Sequence, residues 1–341
     1  MAVAQVRDVA ARARVSPATV SNAINHPEKV SERTRERVRK AIEELDFIPN
    51  DAARQLRAGR NRAVGMIVLD AGNPFFSNLA EGAEDHLAEQ GRPLLLGNSS
   101  QIPERESAHL ALFEEQRVAG LLIIAVGDVT PQLRRLKERD TAVVIVDRMA
   151  GEDEFSSVSL DDVEGGRLIS QHLIDEGARH IAVVGGPRHL RQVSQRLEGA
   201  ESTASASPGV QVECIDTGAM DIESGRMAAA GILARDSEQR PDALMATNDL
   251  IAIGALQELV RSGLDVPGDM LLSGYDDIAF AGSATIPITS IRQPAHEMGR
   301  KSAELLCSLI DDPQTPTEQT VFQPELVIRE STNRSSAVTA D

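Results

Sequence analysis

Two phenylalanines stand side by side in Asn73-Pro74-Phe75-Phe76, in a chain with only seven Phe, one Tyr and no Trp. Aromatic faces pack on the C–H face of a sugar ring while polar neighbours take its hydroxyls. Packing of both rings in a core is the competing reading. Further on, Asp147-Arg148 closes an apolar run. A carboxylate beside a forked guanidinium offers acceptors and donors to vicinal hydroxyls, although the two could instead pair with each other. Asn248 and Asp276 also end apolar runs, and Gln293, in IRQP, lies in a stretch suited to crossing between layers. These residue types suit binding of a polyhydroxylated ligand rather than bond-making. The chain shows no GxSxG elbow, P-loop, HExxH or GxGxxG after a strand, so no catalytic residue is assigned. Cys214 and Cys307 stand far apart without metal-ligand spacing and read as buried thiols in a reducing cytoplasm. No metal and no cofactor are expected.

A second set of residues lies near the N-terminus. Ser16, Pro17, Ala18, Thr19, Ser21 and Asn22 are small or polar and cluster at the start of one predicted helix. A helix end that approaches DNA bases needs such residues. Asn22 can pair with an adenine edge, and Ala18 can offer a methyl contact. Arg7, Thr19, Ser21, Ser31 and Thr34 could hold phosphates, which positions a protein without reading sequence.

The elements that must carry these residues follow from spacing. Val6, Val9, Ala10 and Ala13 recur at helical intervals. Ser16 is a natural N-cap with Pro17 at the first helical position of PATVSNAIN. A third helix follows Ser31, with Val38, Ile42 and Leu45 as its apolar stripe. Helix, tight turn, helix and supporting helix make a helix-turn-helix over residues 1–46. Residues 47–62 form a separate short helix and linker, too short to persist alone in water. From residue 63 to 335 apolar runs alternate with amphipathic helices, as in AVGMIVLD, AGLLIIAV, AVVIVDR, HIAVVGGP and ALMATND. Such runs suit parallel strands covered on both faces, so the body is expected to be doubly wound α/β in two lobes. The N-lobe is expected at about 63–160 and 292–322, the C-lobe at about 161–291 and 323–335, and a loose tail at 336–341. Ligands of open α/β sheets collect at the carboxyl ends of strands, where the polar residues above stand.

Charge divides the same way. Residues 1–62 hold 13 Lys/Arg against 8 Asp/Glu; residues 63–341 hold 22 against 44. A basic head on an acidic body confines contact with DNA to the head. No apolar run is long enough to span a bilayer. The opening residues, MAVAQVRDVAARARV, lack the apolar core of a secretion signal, so the cytoplasm is expected.

The run from Val6 to Arg57 resembles, without a gap, the head and hinge of the lac repressor family. Val9-Ala10, Val15-Ser16, Thr19-Val20-Ser21, Asn25, Val30-Ser31, Thr34-Arg35, Ala41-Ile42, Pro49-Asn50 and Ala53-Arg54 carry the likeness. The resemblance implies a DNA-binding repressor, with Pro17, Ala18 and Asn22 at base-reading positions and Asn50 and Ala53 also at the DNA. Relatives often have arginine or histidine where Asn22 stands, so base preference should differ there. It further implies that Leu56, paired with its copy in a homodimer on a pseudo-palindromic operator, wedges between base pairs from the minor groove. The body resembles the periplasmic sugar-binding fold. Arg196 in SQRLEG stands where that family places a ligand arginine. Together with Asn73, Phe76, Asp147, Arg148, Asn248, Asp276 and Gln293 it matches ribose-binding members of the fold, implying a pentose or related furanose rather than a purine base. Met220 departs from the pattern by replacing an aromatic.

Three rival readings share parts of this pattern. A transport-type sugar-binding protein should carry an export signal and no head. A sugar enzyme should show a phosphate cradle or metal cluster. A global catabolite regulator of the same family would answer to a phosphorylated protein instead of a sugar.

Overall fold

The computed structural model describes residues 4–47, 62–149 and 154–334. The expected hinge helix, with Asn50, Ala53 and Leu56, and the expected tail lie outside the described residues. Two units divide the chain, residues 1–61 and 62–341.

In the first unit α1 (Val6–Ala13), α2 (Pro17–Asn25) and α3 (Glu32–Glu44) pack around one small core. Arg14, in the left-handed region at φ 54°, stops α1. The Ser16 hydroxyl accepts the Thr19 N–H at 3.1 Å and so starts α2, with Pro17 at its first position. A 3₁₀ turn, Pro27–Lys29, leads to α3. Val9, Val20 and Val38 are buried, with Ala23, Ile24, Ile42 and Leu45 packed around them. Phe47 also closes this core, although the sequence groups it with the following segment. A ring that size buries too much apolar area to be left outside a core of small residues.

The second unit holds two parallel sheets. The first runs in the order β2 (Leu94–Asn98), β1 (Val64–Val68), β3 (Gly120–Ile123), β4 (Ala142–Val146), β5 (Ser156–Leu160) and β11 (Gln319–Phe322). The second runs β7 (Gln211–Ile215), β6 (His180–Val184), β8 (Ala243–Ala246), β9 (Leu271–Ser273). β10 (Ser290–Arg292) and β12 (Glu325–Val327) form an antiparallel pair, tied to the second sheet by bridges from Ser273 to Thr289 and Asp276 to Arg292. The chain therefore passes between layers after β5, after β10 and after β11. The central strands β1, β3 and β8 are buried throughout, as strands covered by helices on both faces must be.

Helices α4 (Pro74–Glu89), α5 (Pro103–Glu115), α6 (Thr130–Glu138) and α12 (Ala295–Asp311) belong with the first sheet. Helices α7 (Asp162–Asp175), α8 (Arg191–Ser205), α9 (Ile222–Leu233), α10 (Asp249–Arg261) and the short α11 (Ala279–Gly282) belong with the second. One helix contact positions the site. A Cβ on Gly166 of α7 would lie 2.1 Å from the Arg196 carbonyl of α8, and one on Gly199 of α8 would lie 2.1 Å from the Val163 carbonyl of α7. Next to it, a Cβ on Gly165 would meet the Tyr275 hydroxyl at 2.0 Å. The pair Gly165-Gly166 thus lets Arg196 and Tyr275 close onto α7. Gly82 with Gly299, and Gly225 with Gly254, join α4 to α12 and α9 to α10 in the same reciprocal way.

Candidate functional site

The side chains at the strand ends converge on Arg196, which is 3% exposed. Its Nε donates to Asp162 Oδ1 at 2.8 Å and its Nη1 to the Thr247 carbonyl at 2.6 Å. Asp276 Oδ1 lies 3.9 Å from Nη1. The guanidinium also stacks on Tyr275, 3.6 Å from the ring centre. Asp276 binds the two layers together. Its Oδ2 accepts from Asn73 Nδ2 at 3.2 Å, and its Oδ1 from Gln293 Nε2 at 2.7 Å. Across the cleft, Asp147 Oδ2 accepts from Gln192 Nε2 at 3.4 Å. Asp147 Oδ1, Thr247 Oγ1 and Gln293 Oε1 are buried without a hydrogen-bond partner among the described residues.

Asp147 and Asp276 hold left-handed φ angles of 62° and 105°. Non-glycine residues adopt such angles at a cost, and they gather at functional sites. Asn73 and Asn248 do double duty as helix caps. Asn73 Oδ1 accepts the Phe75 N–H, and Asn248 Oδ1 accepts the Ile251 N–H. Asn248 Nδ2 donates to the carbonyl of buried Met220 at 3.1 Å. Phe75 and Phe76 meet edge to face, 5.0 Å between centres, and both rings belong to the apolar core of the body.

Arg148 departs from its neighbour Asp147. Its Nη1 donates to the Gly127 carbonyl at 3.1 Å. It lines a cavity of about 810 Å³ together with Gly127, Asp128, Met149, His189 and Arg191. No ion pair joins Asp147 to Arg148 among the described residues.

The electrostatics are unbalanced. Asp147, Asp162 and Asp276 are buried around Arg196, the one fully buried guanidinium among the described residues, and Asp249 is buried beside Asp276. Burial opposes the guanidinium charge, but Asp162, Tyr275, Asp276 and Asp147 outweigh it and raise the Arg196 pKa. Burial pushes Asp276 up to about 6 against the pull of Arg196, Asn73 and Gln293. Burial, then the charge of Asp162, holds Asp147 well above the usual carboxylate range. Asp162 is raised by burial despite its contact with Arg196. Asp249, raised well above by burial and then by Asp276, accepts from Ser290 Oγ at 2.7 Å and the Ile278 N–H at 2.8 Å.

In the head, Ser16, Pro17, Ala18 and Asn22 are exposed on α2, and Arg7 and Ser31 are exposed on neighbouring segments. Thr19, Ser21 and Thr34 are half-buried. The Ser16 and Thr19 hydroxyls are bonded at 2.9 Å, and Ser31 Oγ donates to Thr34 Oγ1 at 3.0 Å. Asn25 is the last residue of α2.

Asp162, Thr247 and Tyr275 were not among the residues expected at the cleft. Tyr275, the one tyrosine of the chain, and Thr247 each precede an expected residue, which is the signal that marks them. Asp162 follows β5, whose serine-rich sequence SSVSL does not read as a buried strand.

Residues 5–50 match the family of bacterial regulatory proteins, lacI family, and residues 170–332 a periplasmic binding protein-like domain. The HTH-type transcriptional repressor PurR of Aliivibrio fischeri is 35% identical over 96% of this chain and 98% of its own. The ribose operon repressor of Bacillus subtilis is 35% identical over 97% of this chain and 99% of its own. The lac repressor dimer bound to operator and the anti-inducer ONPF superposes with TM-score 0.81, at 25% identity, over 97% of this chain and 99% of that one. A lacI-family regulator of Enterococcus faecium with bound ribose gives 0.72, at 28% identity, over 79% of this chain and 98% of that one.

Proposed function

The chain belongs to the lacI family of bacterial regulatory proteins, and from that premise we propose a homodimeric cytoplasmic repressor whose hold on its operator is set by a pentose in the cleft of the body. The head is the DNA reader: α2 enters the major groove with Pro17, Ala18 and Asn22 toward the bases, and Arg7, Ser16, Thr19, Ser21, Asn25, Ser31 and Thr34 hold the backbone. The ligand is gripped by Asn73, Asp147, Arg148, Arg196, Asn248, Asp276 and Gln293, with Phe75, Phe76 and Met220 as apolar walls.

The observation that carries the pentose reading is the set of buried polar atoms without a hydrogen-bond partner among the described residues. Asp147 Oδ1 and Gln293 Oε1 take hydrogen-bond donors, Thr247 Oγ1 can donate or accept, and the acids Asp147, Asp162 and Asp276 stand around one guanidinium, Arg196. A sugar brings several hydroxyl donors on a small ring, whereas a purine base brings few. The ribose repressor and the ribose-bound regulator among its relatives support the same ligand. Binding draws the two layers together, and operator affinity changes only as far as the sugar prefers one arrangement over the other. The sugar is proposed to release the operator.

Calorimetry with D-ribose, other pentoses and a purine base tests the ligand. Anisotropy of a labelled operator, selected from random-sequence DNA, then tests the response. D-ribose should bind and weaken operator affinity by about five- to 150-fold, the usual range of such coupling. Binding of the purine base alone would overturn the pentose reading; tighter operator binding with D-ribose would make the sugar a corepressor.

A further inference from the structure

Glu106 lies in the first turn of α5, 1% exposed, with no part in the cleft itself. Its Oε2 accepts the Val126 N–H at 2.6 Å. Val126 and Gly127 form the turn that leaves β3, and the Gly127 carbonyl is the acceptor for Arg148 Nη1 at 3.1 Å. A carboxylate, one short turn and a guanidinium are thus linked in series.

A carboxylate at such depth is costly unless a cation compensates it. Arg148 is the cation whose field acts on Glu106, and Glu106 is the first charge supporting Arg148 against its own burial. Asp128 supports Arg148 as well, while Arg191 opposes it. Burial raises the Glu106 pKa, and the Val126 N–H and Arg148 pull it back. A leucine or methionine would fill this place in an ordinary core without such compensation. The use of a carboxylate here points to Arg148 as the group served.

We infer that Glu106 is a positioning residue for Arg148, a proposed effector contact: through the Val126–Gly127 turn it fixes where the Arg148 guanidinium stands in the cavity it lines with Gly127, His189 and Arg191. The inference rests on the proposed function for Arg148 as an effector contact and for the choice of ligand below.

Two measurements on the full-length protein test it. The first needs no ligand. In nitrogen-15 spectra of arginine side chains, the Arg148 Nε–H signal is identified by its loss in Arg148→Lys. Glu106→Gln should shift that signal and speed its exchange with solvent while the other protected arginine signals stay in place. An unmoved Arg148 signal overturns the inference, whatever the effector is. The second is a double-mutant cycle on D-ribose affinity. Glu106→Gln should weaken binding by about tenfold in the wild-type background and add nothing in the Arg148→Ala background. An equal loss in both backgrounds would show that Glu106 acts through lobe packing and overturn the inference. If the wild type binds no D-ribose, the pentose reading fails and the arginine spectra alone decide. Should Glu106→Gln not fold, Glu106→Asp, which keeps the charge but shortens the reach, should move the same signal.

Discussion

At the scale of the residue, Asp276 is the group whose titration should be measurable. Its folded pKa, about 6, lies above the ordinary 3.8 because burial disfavours the charged form. The ligand-free protein therefore loses stability from Asp276 as pH rises from about 4 to 6, since the folded state binds the proton more tightly than the unfolded one. Sugar binding should run the other way. Hydroxyl donors need an ionised acceptor, so affinity should fall as pH drops below about 6. Calorimetry between pH 5 and 8 should show the loss of affinity, with a smaller slope in Asp276→Asn; identical pH profiles would remove Asp276 from the binding set. The residues found by sequence were those that end an apolar run with a polar side chain: Asp147, Asn248 and Asp276. Asp162 escaped because what precedes it does not look apolar. Glu106 escaped because nothing distinguishes it from the exposed acids of the same helix until its burial is seen.

At the scale of the element, hydrophobic runs exposed the strands at the centre of each sheet and missed those held by polar side chains. β5 is buried along its length, yet three of its five residues are serines. Ser156 Oγ accepts the Glu318 N–H at 3.1 Å, and Ser157 Oγ donates to Gln319 Oε1. Two of its serines are satisfied by β11 and the residue before it, partners far away in sequence, so local pattern could not reveal the strand. Ser159 Oγ is buried without a hydrogen-bond partner among the described residues. The start of α2 was legible because its cap is local: one serine, one proline and the N–H they leave free. The proposed hinge element, with Leu56 as its wedge, depends on a second subunit and DNA. Leu56→Ala should leave sugar binding intact while abolishing most DNA bending in a circular-permutation assay; equal bending by both proteins would exclude the wedge.

At the scale of the whole molecule, charge and apolar surface suggest the assembly. The basic N-terminal segment and the acidic body favour a complex in which only the heads lie on DNA. Leu95 and Leu96 are exposed on the edge strand β2, and Met227 and Phe280 are 65% and 59% exposed on the second layer. An open apolar edge is a liability unless covered, and in the proposed homodimer a second copy of the chain is available to cover it. A homodimer should protect two half-sites about one helical turn apart or a multiple of that. If it contacts six to ten phosphates, affinity should fall by about 10³- to 10⁵-fold between 50 and 200 mM salt. Sedimentation of a stable monomer, or a footprint confined to one half-site at full affinity, would defeat the dimer.

The reciprocal glycines carry a consequence for how this protein can change over generations. Most tight contacts inside proteins can be repaired: when one side chain grows, a neighbour can shrink. Gly166 and Gly199 instead face main chain, the Arg196 and Val163 carbonyls, which no codon change can trim. Each position is therefore locked by atoms that every amino acid shares. A Gly166→Ala allele should lose function by parting α7 from α8, and a search for second mutations that restore it should return reversion at codon 166 but no substitution on the facing helix. Recovery of a compensating change within α8 would show that the two helices can separate without losing the fold.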